Sequence, residues 1–215
     1  MTGRKVKISL LLVSVGILIS SSNSLLISQK PVHLTGIQLS DFEKGLFNTG
    51  DILFRKAEGL GSNYVVSIDP NSEYSHVGIV HINEDLVFVI HASPITSNNN
   101  SGVREEPLDE YLRDIPAAAL FRVNSSNYNQ IQDAVNNARS YVGRIPFDFK
   151  FSLNSNQTLY CTELVWIAYR DAGIDLLNSF DHLNLPILGE GKYILPSSLA
   201  NSTSIHLISK FKINQ

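Results

Sequence analysis

The sequence predicts an α+β domain, with antiparallel strands and helices at separate places in the chain. Two observations carry this. His76 to Ile82, Leu86 to His91 and Ala117 to Val123 are short runs rich in β-branched and apolar residues, broken by polar turns. Asn127 to Val142 and Cys161 to Ala172 are amphipathic at helical spacing, and each stops at a glycine, Gly143 or Gly173.

At the N-terminus, Arg4, Lys5 and Lys7 precede an apolar stretch from Ile8 to Ile19, and Ser20 to Ser24 follow. A basic start, a short apolar run and then small residues describe a secretory signal over residues 1 to about 24. Counted on to Ile27, the stretch reaches the ~20 residues that span hydrocarbon. An uncleaved membrane anchor over residues 8–27 is the alternative. No cysteine follows the run, so it carries no lipoprotein attachment site. Either reading places the rest of the protein outside the cytoplasm, periplasmic or extracellular. Residues 36–215 are expected to form a single domain.

Ser40 with Glu43 three residues on suggests a capping box opening a short helix through Phe47. Asp51 to Phe54 reads as a buried strand, and residues 56–68 are ambiguous. Asn83 to Asp85 makes the turn between the two strands that follow. Ser97 to Gly102 is a polar loop, and Val103 to Glu105 a short strand. Pro107 opens a helical turn with Leu108, Tyr111 and Leu112. In the long helix, Ile131, Val135, Ala138 and Val142 share one face. In the second, Leu164, Val165, Ala168 and Tyr169 point inward. Pro196 to Leu199 is a helical turn, and Ile205 to Phe211 the last strand.

Composition bounds the function. With 43% hydrophobic and 17% charged residues among 215, the chain is globular. A net charge of −3 gives no basic footprint for nucleic acid. Cys161 is the single cysteine, which excludes an internal disulfide and any zinc site with two thiolates. Nothing in the sequence asks for a cofactor.

Three residues could form a thiol site. Cys161 begins the second long helix, where free N–H groups and about half a positive charge favour a thiolate and can hold an oxyanion. A lone cysteine also serves commonly as a small buried hydrophobe. His76 stands at the entry to an apolar strand, where its imidazole can take a thiol proton at neutral pH. His91 closes the second strand of the hairpin. A turn at Asn83 to Asp85 pairs residue 76 with about 92 and sets His91 diagonally beside His76, in reach to orient it. His81 should project elsewhere and is read as structural. His33, His182 and His206 have no supporting context.

Gly50-Asp-Ile-Leu-Phe54, Tyr74-Ser-His-Val-Gly-Ile-Val80 and Tyr160-Cys-Thr-Glu-Leu-Val-Trp166 resemble, in this order, the motif series of the YiiX/YebB-like cysteine hydrolases. These are the circularly permuted branch of the NlpC-type, papain-like superfamily. The likeness runs from about Gly50 to Gly173. It implies a permuted papain-like fold, a small antiparallel sheet packed against a helix bearing the nucleophile. It implies Cys161 as nucleophile, His76 as general base and a polar third residue at His91, where relatives often carry a carboxylate. A histidine there gives less electrostatic support to an imidazolium. Asp148 resembles a family position and is read as structural or substrate-facing. Glu163 is read as stabilising its helix N-terminus, and Tyr74 as a candidate oxyanion donor.

The expected activity is cysteine-dependent hydrolysis of the amidase or peptidase type, through a thioester on Cys161. The expected substrate is a peptide or acyl-lipid of the cell envelope. Phe149, Phe151 and Leu153 are in line with an apolar groove. The alternative from another class is a non-catalytic envelope binding module that keeps the fold. A metal-dependent hydrolase built on His76 and His91 lacks a helical His-x-x-x-His pair or a second carboxylate cluster.

Overall fold

A computed structural model describes residues 36–57, 65–94, 101–125, 127–153, 157–186 and 188–213. The expected N-terminal signal or anchor, the span 8–27 and most of the polar loop at 97–102 lie outside the described residues. Among the described residues no helix is long and apolar enough to cross a membrane.

Six strands form the main sheet: β1 (Ile52–Arg55), β2 (His76–Asn83), β3 (Leu86–Ser93), β4 (Gly102–Pro107), β5 (Ala117–Val123) and β8 (Ile205–Lys212). Their order is β4-β3-β2-β1-β5-β8, and every neighbouring pair is antiparallel. The helices are α1 (Asp41–Lys44), α2 (Leu108–Tyr111), α3 (Tyr128–Ser140), α4 (Cys161–Asp171) and α5 (Pro196–Ala200). This is the predicted α+β arrangement, an antiparallel sheet packed against a helix that begins with Cys161.

Alternation along the strands divides the interior in two. Ile52, Phe54, Val77, Ile79, Ile90 and Ala92 face Ala134, Val135 and Ala138 of α3 and Leu164, Val165 and Ala168 of α4. Leu53, Val80, Val89 and Leu120 turn the other way, under Leu108, Tyr111, Phe47 and Phe211. Strands buried on both faces have no polar residue in two, which is why they read as continuous apolar runs. Each fully buried Leu or Ile adds roughly 1.5–3 kcal/mol. The helix from Cys161 ends as its glycine dictates, with Gly173 at φ 83° just past the cap, whereas the helix from Tyr128 stops at Ser140, short of Gly143, whose N–H donates to the Val103 carbonyl. Ser40 and Glu43 form the expected capping box, but α1 stops at Lys44.

The hairpin turn is tighter than the sequence suggested. Asn83 pairs with Leu86, leaving Glu84 and Asp85 as the two central residues, at φ 48° and 66°. Positive φ at both positions is what a type I′ turn needs, and its twist matches the strands. Ile79 pairs with Ile90. Continuing that register sets Ser93, rather than residue 92, opposite His76, and sets His91 opposite Gly78. The one-residue correction matters. It puts His91 two positions from the partner of His76, so the two rings project from the same face. A Cβ on Gly78 would come within 2.5 Å of Val89 Cγ1 and 3.0 Å of His91 Cβ, so only glycine lets His91 cross here.

A second sheet was not foreseen. β6 (Asp181–Leu185) pairs with β7 (Gly189–Tyr193). Both are polar or glycine-rich, and only Leu185 and Tyr193 are buried.

Candidate active site

Cys161 is the first residue of α4, and Tyr160 before it is extended at φ −103° and ψ 172°. This helix start is fastened twice to the segment after β7. Thr162 Oγ1 donates to the Ile194 carbonyl at 2.6 Å, and Ile194 N–H donates to Tyr160 Oη at 3.0 Å. The Tyr160 side chain does not cap the helix. Backbone N–H groups of Thr162, Val77 and Cys161 itself face the sulfur and favour its anion. Val77 follows His76 in β2, so the thiol lies at the end of the sheet where that strand opens.

The sequence argument expected the helix terminus to lower the thiol pKa. The structure gives the opposite sign. Burial pushes the Cys161 thiol up to about 11, outweighing the three N–H groups and the Arg55 guanidinium that pull it down. Cys161 is 6% exposed and rests as the neutral thiol.

His76 and His91 are brought together. His76 Nε2 lies 2.7 Å from His91 Nδ1, with the rings nearly perpendicular at 87°. Both pack on the Tyr111 ring. Burial first, then the charge of Arg55, holds both imidazoles well below the ordinary histidine value. They are neutral at neutral pH. His76 hydrogen-bonds His91, and among the described residues no hydrogen bond joins His76 to Cys161. Such bonds are often long before substrate binds.

Behind His91 stand two residues that sequence reading missed. Glu106 Oε2 lies 2.9 Å from His91 Nε2, and Arg104 Nε lies 2.7 Å from Glu106 Oε1. His91 pairs with Arg104 across β3 and β4, so Glu106 is one diagonal step away. Arg55 also went unremarked. It pairs with His76 across β1 and β2, lies over the Tyr111 ring at 4.1 Å and donates to the Tyr111 carbonyl.

The remaining candidates sort themselves. His81 bonds Glu105 at 2.6 Å, apart from His76. Asp148 accepts from the N–H groups of Lys150 and Ser152 at 2.8 and 2.7 Å, so it shapes the loop before α4. Tyr74 Oη donates to Glu73 at 3.4 Å, and burial raises its hydroxyl to about 12. Phe149 is 61% exposed, whereas Phe151 lines a small apolar pocket of about 30 Å³ beside Cys161, with Val65, Ile68, Tyr160 and Tyr193.

Glu163 lies in the first turn of α4, where it was read as stabilising the helix N-terminus, but it is buried. It is 3% exposed, and its Oε2 has no hydrogen-bond partner among the described residues. Burial pushes its carboxyl up to about 8, against the Tyr160 N–H that stabilises the anion. An unfolded chain releases this proton near ~4.3. Between those values the folded protein holds a proton that the unfolded chain has lost. Glu163 therefore subtracts stability increasingly as pH rises through this window, and fully above it. Glu163→Gln should melt about 2–8 °C higher than wild type near pH ~8.5 and within about 1 °C of it near pH ~5. Equal shifts at both pH values would show that the carboxyl is not held protonated.

Residues 47–208 match the family model described as permuted papain-like amidase enzyme, YaeF/YiiX, C92 family. The uncharacterized protein YiiX of Escherichia coli (strain K12) is 28% identical over 127 residues. That match covers 58% of this chain, and the chain spans 58% of that relative's length. A crystal structure of metalloprotein yiiX from Escherichia coli O157:H7 superposes with a TM-score of 0.62 at 22% identity, covering 76% of this chain and 97% of the other. That likeness is one of fold.

Proposed function

The chain belongs to the permuted papain-like amidase family, YaeF/YiiX, C92, and from that premise we propose that it is a cysteine hydrolase forming a thioester on Cys161. The observation that carries the reading is the placement of the thiol at the first turn of α4, facing Val77 N–H on the strand opened by a buried His76, which is itself hydrogen-bonded to His91.

His76 takes the thiol proton as Cys161 attacks the substrate carbonyl. Sulfur gains an acyl carbon, and the carbonyl π pair moves to oxygen. First-turn N–H groups of α4 receive that oxyanion. The amide or ester bond then breaks, and His76 returns its proton to the leaving amine or alcohol. Water, deprotonated by His76, resolves the thioester to acid and free thiol. Because thiol and imidazole both rest neutral, the proton moves during attack rather than before it. His91 orients His76.

The substrate is an envelope peptide or acyl-lipid, and the protein is exported, with membrane association through residues 8–27 if the N-terminal segment is retained. The apolar side chains beside Cys161, among them Val65, Ile68 and Phe151, support an apolar acyl group. The metalloprotein description of the solved relative raises a metal reading. Among the described residues no three His, Cys, Asp or Glu side chains are grouped to hold an ion. The nitrogens of His76 and His91 that face acids and each other are engaged in a chain and do not converge on one point. The proposed reaction uses protein groups alone. A binding module that keeps the fold is the second reading, and the raised thiol pKa favours it.

A series of acyl amides and esters differing only in the acyl group tests the proposal. Turnover with kcat/KM at least about 10-fold higher for long apolar acyl groups than for acetyl is expected, since each buried methylene adds up to ~0.8 kcal/mol. Binding of the long-chain compounds without turnover would favour the binding module.

A further inference from the structure

We propose that Glu106 is a positioning residue for this reaction: its carboxylate fixes the tautomer of His91 and, through it, that of His76. The inference rests on the roles proposed above for Cys161 and His76. Three contacts carry it. Glu106 Oε2 is 2.9 Å from His91 Nε2, His91 Nδ1 is 2.7 Å from His76 Nε2, and Glu106 Oε1 is 2.7 Å from Arg104 Nε. The chain is shielded, with the His91 side chain 0% and Glu106 18% exposed.

A carboxylate only accepts hydrogen bonds, so His91 Nε2 carries a proton. In a neutral imidazole the other nitrogen, Nδ1, then only accepts. The hydrogen between the two rings therefore belongs to His76 Nε2. His76 Nδ1 is left with the lone pair, and it is the atom that can take the thiol proton. One carboxylate thus decides, two rings away, which nitrogen of His76 is basic.

Arg104 could undo this. Its Nε also lies 3.3 Å from His91 Nε2, where a donor would demand the opposite tautomer. Glu106 decides the contest by charge: its Oε2 is nearer to His91 Nε2, at 2.9 Å, where a bare lone pair would face the carboxylate, while Oε1 ion-pairs with the guanidinium at 2.7 Å. Glu106 therefore takes the His91 proton, pairs with the guanidinium charge and keeps it from reversing the relay. Arg55, Tyr111 and Glu110 are the other ionisable groups acting on this cluster.

Glu106→Gln gives a sharp test because it keeps the shape. Without the carboxylate charge, the Arg104 Nε–H already directed at His91 Nε2 becomes the donor there. His91 must then accept there, donate from Nδ1, and leave His76 protonated at Nδ1. Long-range ¹H–¹⁵N NMR of the full chain reads these tautomers without substrate. Wild type should show both rings protonated at Nε2, and Glu106→Gln both at Nδ1. With the acyl substrates, kcat should fall about 30- to 100-fold, with KM within about 2-fold because Glu106 touches no substrate. Glu106→Gln/Arg104→Ala frees the amide to turn its oxygen to His91, and should recover the Nε2–H tautomers and at least about 5-fold in kcat.

Wild-type rings protonated at Nδ1, or a Glu106→Gln protein that keeps both Nε2–H tautomers, would overturn the proposal. So would a kcat within about 3-fold of wild type. Hydrolysis that survives loss of the thiol, with the tautomers as expected, would instead count against the role given to Cys161.

Discussion

Cys161→Ala should abolish hydrolysis, by at least about 10³-fold in kcat/KM, while the protein stays folded. Removing the nucleophile of a covalent mechanism leaves only oxyanion stabilisation and binding, and comparable losses reach ~10⁶. The substitution deletes one sulfur from a helix start whose anchors are Thr162 to the Ile194 carbonyl and Ile194 N–H to Tyr160, and neither uses the thiol. Melting temperature should change by no more than about 5 °C, as expected for the loss of one buried atom. Cys161→Ser should be as inactive, because a hydroxyl is harder still to deprotonate than a thiol already raised to about 11. His76→Ala should lose as much activity and also some stability, since it leaves His91 Nδ1 buried without its partner. Steady-state kinetics paired with thermal melts separates these effects. Unchanged turnover in Cys161→Ala would remove the thiol from the chemistry.

Asp51→Ala should lower stability by about 3–5 kcal/mol, or roughly 6–20 °C in Tm for a domain of this size. Asp51 is 1% exposed and accepts two hydrogen bonds from Arg122, at 2.7 and 2.8 Å, and one from Asn48 N–H at 2.7 Å. Arg122 also donates to the Leu46 carbonyl at 2.8 Å. Burial raises the Asp51 carboxyl despite these partners, so desolvation is the largest influence on it. Removing the acid alone strands a part-buried guanidinium, whereas replacing both charges should restore most of the loss. Asp51→Leu/Arg122→Met is expected to melt above Asp51→Ala. The lock matters for the site because Asp51 also bonds Val80 through its backbone and so sets β1 against β2, the strand that begins with His76. A cost below about 1 kcal/mol for Asp51→Ala would mean that the strands hold their register without it.

What was legible in the sequence follows from what local pattern encodes. β2, β5, α3 and α4 were readable because continuous apolar runs, or apolar residues at helical spacing, ended at turns and glycines. The β6–β7 hairpin was not, because Gly189-Glu-Gly-Lys-Tyr193 has no alternating apolar face and is defined by pairing alone. The proximity of His76 and His91 was readable from the hairpin, but the face they share depended on a turn one residue tighter than expected. Arg104 and Glu106 look like solvated charges on an edge strand, and only the register of β4 on β3 carries them to His91. For Cys161 the sequence argument located the helix terminus and its N–H groups. It could not weigh them against burial, a tertiary quantity that reversed the sign of the pKa shift. The same holds for Glu163, an acid in the first turn by sequence and a buried acid in the fold.

The most direct test of the central claim is intact-protein mass spectrometry after rapid quench with an activated long-chain acyl ester. The account predicts a single acyl adduct on Cys161, labile to hydroxylamine as a thioester is. It should form at least about 100-fold more slowly in His76→Ala and not at all in Cys161→Ala. Turnover of the ester by wild type without any adduct on Cys161, or an adduct that forms equally fast in His76→Ala, would contradict it.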